Sequence, residues 1–375
     1  MFKFRITKQY AQEFDAKCAK VNAHGFLRFL TEPDANNISL INLIAQVEDT
    51  ITFEQSKHDR DIQLNEQNIS NYMNEFFSKY MPQKAEQVRQ ILSNTHPYFI
   101  DSNGGTHVNF IPVKKEDNHS SCVGHRGRHS FLDFNVYIHN SLDDLRTTAH
   151  ELGHALSSHH QHLIEMIRSN VPTQEIDKYT QKSFEKDRVS EIESHIIERL
   201  FNRFLIKKRL YTNEDLENYE KGQQASLLSE INLIREERDI IKSLPCPVSY
   251  ESLDNLVKGL QKNNQSKLID RVKKIHDEDK CSSYMFRYVV GRIVADQWIR
   301  GFENATNHQT RVEMLNKFQA YLDKTHKLDL DSACEDLLGQ NFACVIEDYI
   351  TTKRNHYPTN NKKRFENEKS DKMSR

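Results

Sequence analysis

Hydrophobic and polar positions alternate in three textures along the 375 residues of this chain. Up to Thr95, apolar residues recur at helical spacing between polar connections. Ile69, Met73, Phe76 and Phe77 predict one helix, and Pro82 opens another that carries Val88, Ile91 and Leu92. The period then shortens. After the turn signal Gly104-Gly105, residues 106–113 alternate like a strand, a polar loop follows, and 131–139 forms a second strand candidate. From Ser141 the helical period returns, punctuated by Pro172, by the Leu244 to Pro247 segment and by Gly301. Beyond Thr351 the periodicity fades into Lys, Asn, Glu and Ser, and 356–375 reads as a disordered tail.

The predicted fold class is therefore mainly α with a small β-sheet. Residues 1–95 form a helical N-terminal region, and 96–355 form a domain holding the sheet at 106–139 and helices at 141–160 and 185–205. No internal repeat is evident.

The helix at 141–160 carries the chemistry. Leu142, Leu145, Ala149, Leu152 and Leu156 mark its buried face, Asn140-Ser141 offers a cap, and Asp143 and Asp144 sit in the first turn where the helix dipole favours them. On it lies His150-Glu151-Leu152-Gly153-His154. Residues four apart share a helix face, so both imidazoles reach one metal ion. Glu151 follows the first ligand, where its carboxylate reaches a metal-bound water instead of the metal. This is the H-E-x-x-H pattern of zinc hydrolases, which needs a third protein ligand and an open water site. The chain has 18 histidines, so spacing has to separate ligands from bystanders. His159 lies on the opposite helix face from His150. With His160 and His162 it reads as a solvated or supporting group. His107, His125 and His129 sit in or beside the predicted sheet, within reach of a substrate.

Composition narrows the function classes. Charged residues reach 28% but the net charge is only −2, so no electrostatic case exists for nucleic acid or an anionic membrane as partner. No apolar run is long enough to span a bilayer. The N-terminus has no apolar segment of the secretory type, which predicts a cytoplasmic protein, or one secreted without a standard signal. Six scattered cysteines with no C-x-x-C pair support neither a cysteine zinc site nor a disulfide framework.

The third ligand is sought in Asp187 to Glu198. Val189, Ile192, Ile196 and Ile197 mark a buried side, while Glu191, His195 and Glu198 fall on one stripe at i, i+4 and i+7. Glu193 points elsewhere, and most glutamates on such a helix belong to a solvated face. Two residues compete for the position, Glu191 and His195.

Asn140 to Asp144, running on through His154-Ala155-Leu156, resembles the active-site helix of the thimet oligopeptidase and oligoendopeptidase F family, including its leucine-aspartate-aspartate lead-in. The segment from Glu191 to Glu198 is similar to the family's second motif, with Glu193 and His195 in place of a proline and a glutamine. The resemblance implies a zincin-like metallopeptidase with zinc held by His150, His154 and Glu191. It also implies Glu198 as a partner that orients a histidine. Cys281 to Tyr288 is similar to the family's tyrosine-rich segment, which implies Tyr284 as a hydrogen-bond donor to the tetrahedral intermediate, with His276 as a substitute for the family's histidine. Only residues 1–140 precede the metal helix, so the helical roof that restricts the family to short peptides is expected to be reduced.

The expected function is zinc-dependent hydrolysis of peptide bonds, with Glu151 as general base and a peptide or protein as substrate. Two alternatives remain: a specific protease of the bacterial-effector type that cleaves one partner protein, and a zinc-binding module without catalysis.

Overall fold

A computed structural model of the chain describes residues 61–93, 107–112, 133–158, 191–242 and 283–356 as continuous stretches. Shorter pieces are described at 4–5, 44, 46–48, 99–100, 161–162, 165–166, 169, 171, 175, 189, 255, 258–259 and 261–262. These residues are mainly helical, with small two-stranded sheets. Strand β1 (Phe4–Arg5) pairs antiparallel with β2 (Phe99–Ile100), and β3 (His107–Pro112) pairs parallel with β4 (Asp133–Ile138). The register of the second sheet runs from His107 opposite Asp133 to Pro112 opposite Ile138. Both strands of that sheet fall where the alternating pattern placed them. The loop between them lies outside the described residues.

Helix α1 (Glu66–Tyr80) starts at a reciprocal cap. The Asn68 amide donates to the Asn65 side chain at 2.9 Å, and the Asn65 amide donates back to Asn68 Oδ1 at 2.8 Å. Its buried stripe is Ile69, Met73, Phe76, Phe77 and Tyr80, and α2 (Ala85–Ser93) buries Val88, Ile91 and Leu92.

Helix α3 (Leu142–Leu156) follows β4 directly. It ends four residues before the boundary expected at 160. The Ser157 amide and hydroxyl both donate to the His154 carbonyl, at 3.1 and 2.9 Å, and this local bonding competes with continuation of the helix.

Helix α4 (Ile192–Lys207) starts later than the expected 185, with Glu191 as its N-terminal boundary residue. The order continues with α5 (Asn213–Lys242), α6 (Ser283–Asn304), α7 (His308–Leu322), a 3-10 turn at Thr325–Lys327, α8 (Leu330–Leu338) and α9 (Phe342–His356). Among the described residues, no helix is long and apolar enough to cross a membrane.

Helix α9 corrects the reading of the C-terminal stretch from Thr351. Val345, Ile346, Tyr349 and Ile350 are buried, and the helix runs on through polar residues to His356 because propagation from an anchored helix costs little. Residues 357–375 lie outside the described residues.

Helix α4 is the centre of the packing. Every residue from Glu191 to Asn202 is buried, with α3 on one side and α6 on another. Two glycines allow this closeness. A β-carbon on Gly153 of α3 would lie 2.7 Å from Ser194 Cα, and one on Gly291 of α6 would lie 2.7 Å from Glu191 Cβ. Side-chain-free positions let the backbones approach to distances no other residue permits. On a third side, the Phe76 ring of α1 meets Phe201 edge-on at 5.1 Å, so α1 contributes to the same hydrophobic core.

Candidate metal centre

The start of α3 is fixed by its two aspartates. Asp144, fully buried as a side chain, accepts from the amides of His139 at 2.8 Å and Ser141 at 3.1 Å, and its other oxygen meets His139 Nδ1 at 3.2 Å. That carboxylate ties the end of β4 to the first turn of the helix. Asp143 instead pairs with Arg146 at 2.9 Å. Arg146 is itself buried, donating to the Tyr211 hydroxyl at 2.7 Å and lying over the Tyr219 ring at 4.9 Å. Asn140, at φ 62°, accepts from the Leu64 and Ile62 amides through its side chain and carbonyl. The lead-in to α3 is thus held from both sides before the two histidines are reached.

His150 and His154 present their rings at 85° to each other with centroids 5.0 Å apart. Glu191 reaches across from the start of α4. Its Oε2 lies 3.3 Å from His150 Nε2 and 3.4 Å from His154 Nε2, yet makes no hydrogen bond. Atoms of these three residues fall within 4.8 Å of one another, close enough to share a metal ion. The spacing is informative. Four ligands at about 2.0–2.1 Å from a tetrahedral ion stand about 3.3–3.4 Å apart. The donor set of two imidazoles and a carboxylate suits zinc and also other divalent ions of the first transition row.

The second nitrogen of His150 is held from behind. Its Nδ1 lies 3.2 Å from Glu198 Oε2, and His195 Nδ1 meets the same oxygen at 3.2 Å. An Nδ1–H bonded to a carboxylate leaves the Nε2 lone pair facing His154 and Glu191, which is the tautomer a metal ligand requires. His195 therefore meets the site through Glu198, with its ring 5.0 Å from that of His150 and 6.0 Å from Tyr288. His150, His195 and Glu198 form a second group with metal-binding spacing. There the contacts are the two hydrogen bonds just described.

The electrostatics follow from burial and proximity. Burial alone would lower the His150 imidazole, but Glu191 and Glu198, one against each ring nitrogen, push it up to about 10. Burial works the other way on the two glutamates. For Glu191 the His154 and His150 imidazoles overcome it, and for Glu198 His150 and His195 do, so both carboxyls stay well below the usual range. His195 is pushed down to about 3 by burial and by the Arg292 charge, and is neutral. Glu151 is buried beside the motif. Burial raises its carboxyl, and its Oε2 has no hydrogen-bond partner.

Glu191, Glu193 and Glu198 are 2%, 1% and 7% exposed, which corrects the expectation of a solvated glutamate face. The helix is enclosed on all sides, so its acids are buried together with the groups they serve. Tyr284 lies in the first turn of α6, with a side chain outside the described residues. His276 lies outside them altogether, as do His125, His129, His159 and His160. His107 is the first residue of β3. His162 is half-buried with its ring stacked on that of His326 at 5.4 Å.

Several supporting residues carry no motif. Arg292 pairs with Glu230 at 3.2 Å and adds its charge around His195. Arg199, next to Glu198, pairs with Asp296 at 2.6 Å. The available signal was an arginine set in the otherwise apolar run Val289 to Ala295 and an aspartate directly after it, which a buried helix admits only when they are paired. No protein-family model, no curated protein and no solved structure matches this chain.

Proposed function

We propose that this protein is a zinc-dependent metallopeptidase of zincin-like fold, related to the thimet oligopeptidase and oligoendopeptidase F family, with His150, His154 and Glu191 as metal ligands. The observation that carries the reading is the pair of contacts from Glu191 Oε2, at 3.3 and 3.4 Å to the two histidine Nε2 atoms without a hydrogen bond. A buried carboxylate oxygen set at nearly equal distances from two imidazole nitrogens is a ligand set arranged for a shared ion.

A divalent ion held there supplies Lewis acidity and lowers the pKa of a bound water to about 7. The chain's own residues supply the rest. Glu198 holds His150 in the ligating tautomer, and His195 steadies Glu198 through the same carboxylate oxygen. Glu151 acts as general base. Burial raises its carboxyl toward the pKa at which it can both take a proton from the attacking water and return it to the leaving amine. Tyr284 and His276 are assigned the scissile carbonyl oxygen as donors, by resemblance alone. Strand β4 runs directly into α3, and its edge away from β3 is assigned the backbone of an extended peptide.

Glu151→Gln keeps the side-chain volume and removes the base. Peptide hydrolysis by this variant should fall by at least about a hundredfold while zinc content, read by elemental analysis, stays at the wild-type level. Full hydrolysis by the variant would remove Glu151 from the mechanism.

A further inference from the structure

Glu198 takes the Nδ1–H of both His150 and His195 on one oxygen, which leaves His195 Nε2 as a lone pair. That atom is buried and has no hydrogen-bond partner among the described residues. Arg292 has the opposite deficit. Its Nε and Nη2 donate to the two oxygens of Glu230 on α5, at 3.2 Å each, while Nη1 meets no acceptor among the described residues. Both unmet atoms are shut off from solvent, so each faces the protein interior. A buried donor or acceptor left without a partner is costly, and here one of each kind stands at the same helix contact.

The packing brings the two residues to one level. Helix α6 runs beside α4 in the same direction, since Gly291 lies against Glu191 and Asp296 pairs with Arg199 at 2.6 Å. Between those two contacts come Arg292 on α6 and His195 on α4. Tyr288, one turn before Arg292 on the same face of α6, places its ring 6.0 Å from that of His195. Of the charges around His195, that of Arg292 acts on it most strongly.

We propose that Arg292 is a positioning residue of the metal centre: its Nη1 donates to His195 Nε2, directly or across one bridging water, and completes a relay Glu230–Arg292–His195–Glu198–His150. The role rests on the metal-centre reading. Glu230 anchors the guanidinium from α5, and Arg292 meets the lone pair of His195. His195 is thereby held with its Nδ1–H on Glu198. Glu198 remains an acceptor for His150, whose Nε2 faces the ion. Arginine suits the position because one planar group serves two partners with separate arms, which a lysine ammonium on its single stem does not.

A double-mutant cycle on the full chain tests whether Arg292 acts through His195. Arg292→Lys keeps a charge for Glu230 but has no second arm, and His195→Phe keeps the ring shape but removes both nitrogens. In zinc competition with a chromogenic chelator, each should lower affinity by about tenfold, the low end for loss of an outer partner. The double variant should also lose only about tenfold, because the second change removes a link already broken. The same cycle in chemical denaturation of the metal-free protein should give a midpoint shift short of the sum of the single shifts. Two unconnected packing roles would add. If Arg292→Lys does not fold, Glu230→Leu/Arg292→Met takes its place in both cycles, since a buried ion pair tolerates joint apolar replacement far better than loss of one partner. Unchanged zinc affinity in Arg292→Lys would overturn the relay, as would losses that multiply to about a hundredfold or additive shifts in denaturation. Wild-type protein that takes up no zinc would instead overturn the metal-centre reading, and the positioning role with it.

Discussion

Gly291 on α6 lies against the backbone of Glu191 so closely that a β-carbon on the glycine would stand 2.7 Å from Glu191 Cβ and 2.8 Å from its carbonyl carbon and oxygen. The atoms it would strike are backbone and the root of a side chain, neither of which moves freely. Gly291→Ala should therefore push the start of α4 away from α6 and carry the Glu191 carboxylate off the His150–His154 pair. Overpacking of this kind costs about 1–3 kcal/mol. A competition titration with a chromogenic chelator should show zinc affinity reduced by tenfold or more, a larger loss than the melting temperature alone would suggest. Unchanged affinity would mean that Glu191 tolerates the displacement or binds no metal.

Glu198 touches two histidines with one oxygen, at 3.2 Å each. Glu198→Gln keeps the shape and removes the charge that favours an Nδ1–H on both rings. Losses of about 10–100-fold in metal affinity or activity are typical when such an outer partner is removed, and that range is expected here. His195→Gln should cost less, because it leaves the Glu198 carboxylate on His150 intact. Comparing chelator competition for the two variants checks the order.

The pH dependence has a definite sign. In the metal-free protein His150 is pushed up to about 10 from an ordinary 6.5. Because the folded value exceeds the unfolded one, the contacts of its charged form stabilise the fold fully below about 6.5, and this contribution is lost as pH rises through about 10. A metal ion must displace that proton, so its apparent affinity should climb with pH over the same window, by up to about tenfold per unit. The gap between the melting temperatures of zinc-loaded and metal-free protein should therefore widen from pH 6.5 upward. A gap that narrows would contradict the assignment of His150.

Phe76 is fully buried and meets Phe201 of α4 edge-on at 5.1 Å. Phe76→Ala should cost about 3–5 kcal/mol in chemical denaturation. The tyrosine variant should cost less, since it keeps the ring contact.

The pattern of apolar positions made α1, α2, α3 and both strands of the β3–β4 sheet legible, because each buries one face and its period shows. The His150 to His154 motif was equally plain, and the stripe Glu191, His195 and Glu198 gave the helix that answers it. Three things were not legible. The enclosure of α4 on all sides has no periodic signature, so Glu193 and its neighbours read as a solvated face. The parallel direction of β3 and β4 depends on the connection between them, which local alternation does not encode. The roles of Gly153 and Gly291 are relations between helices distant in sequence, and a lone glycine inside a helix says only that something comes close.

The central claim is that His150, His154 and Glu191 hold one ion between them, and metal analysis tests it most directly. Purified protein, exchanged against zinc and then freed of excess metal, should retain one equivalent by elemental analysis. Glu191→Ala and His154→Ala should retain little or none, while His195→Ala keeps most of it. Wild-type protein without stoichiometric zinc, or a Glu191→Ala variant that keeps a full equivalent, would contradict the account.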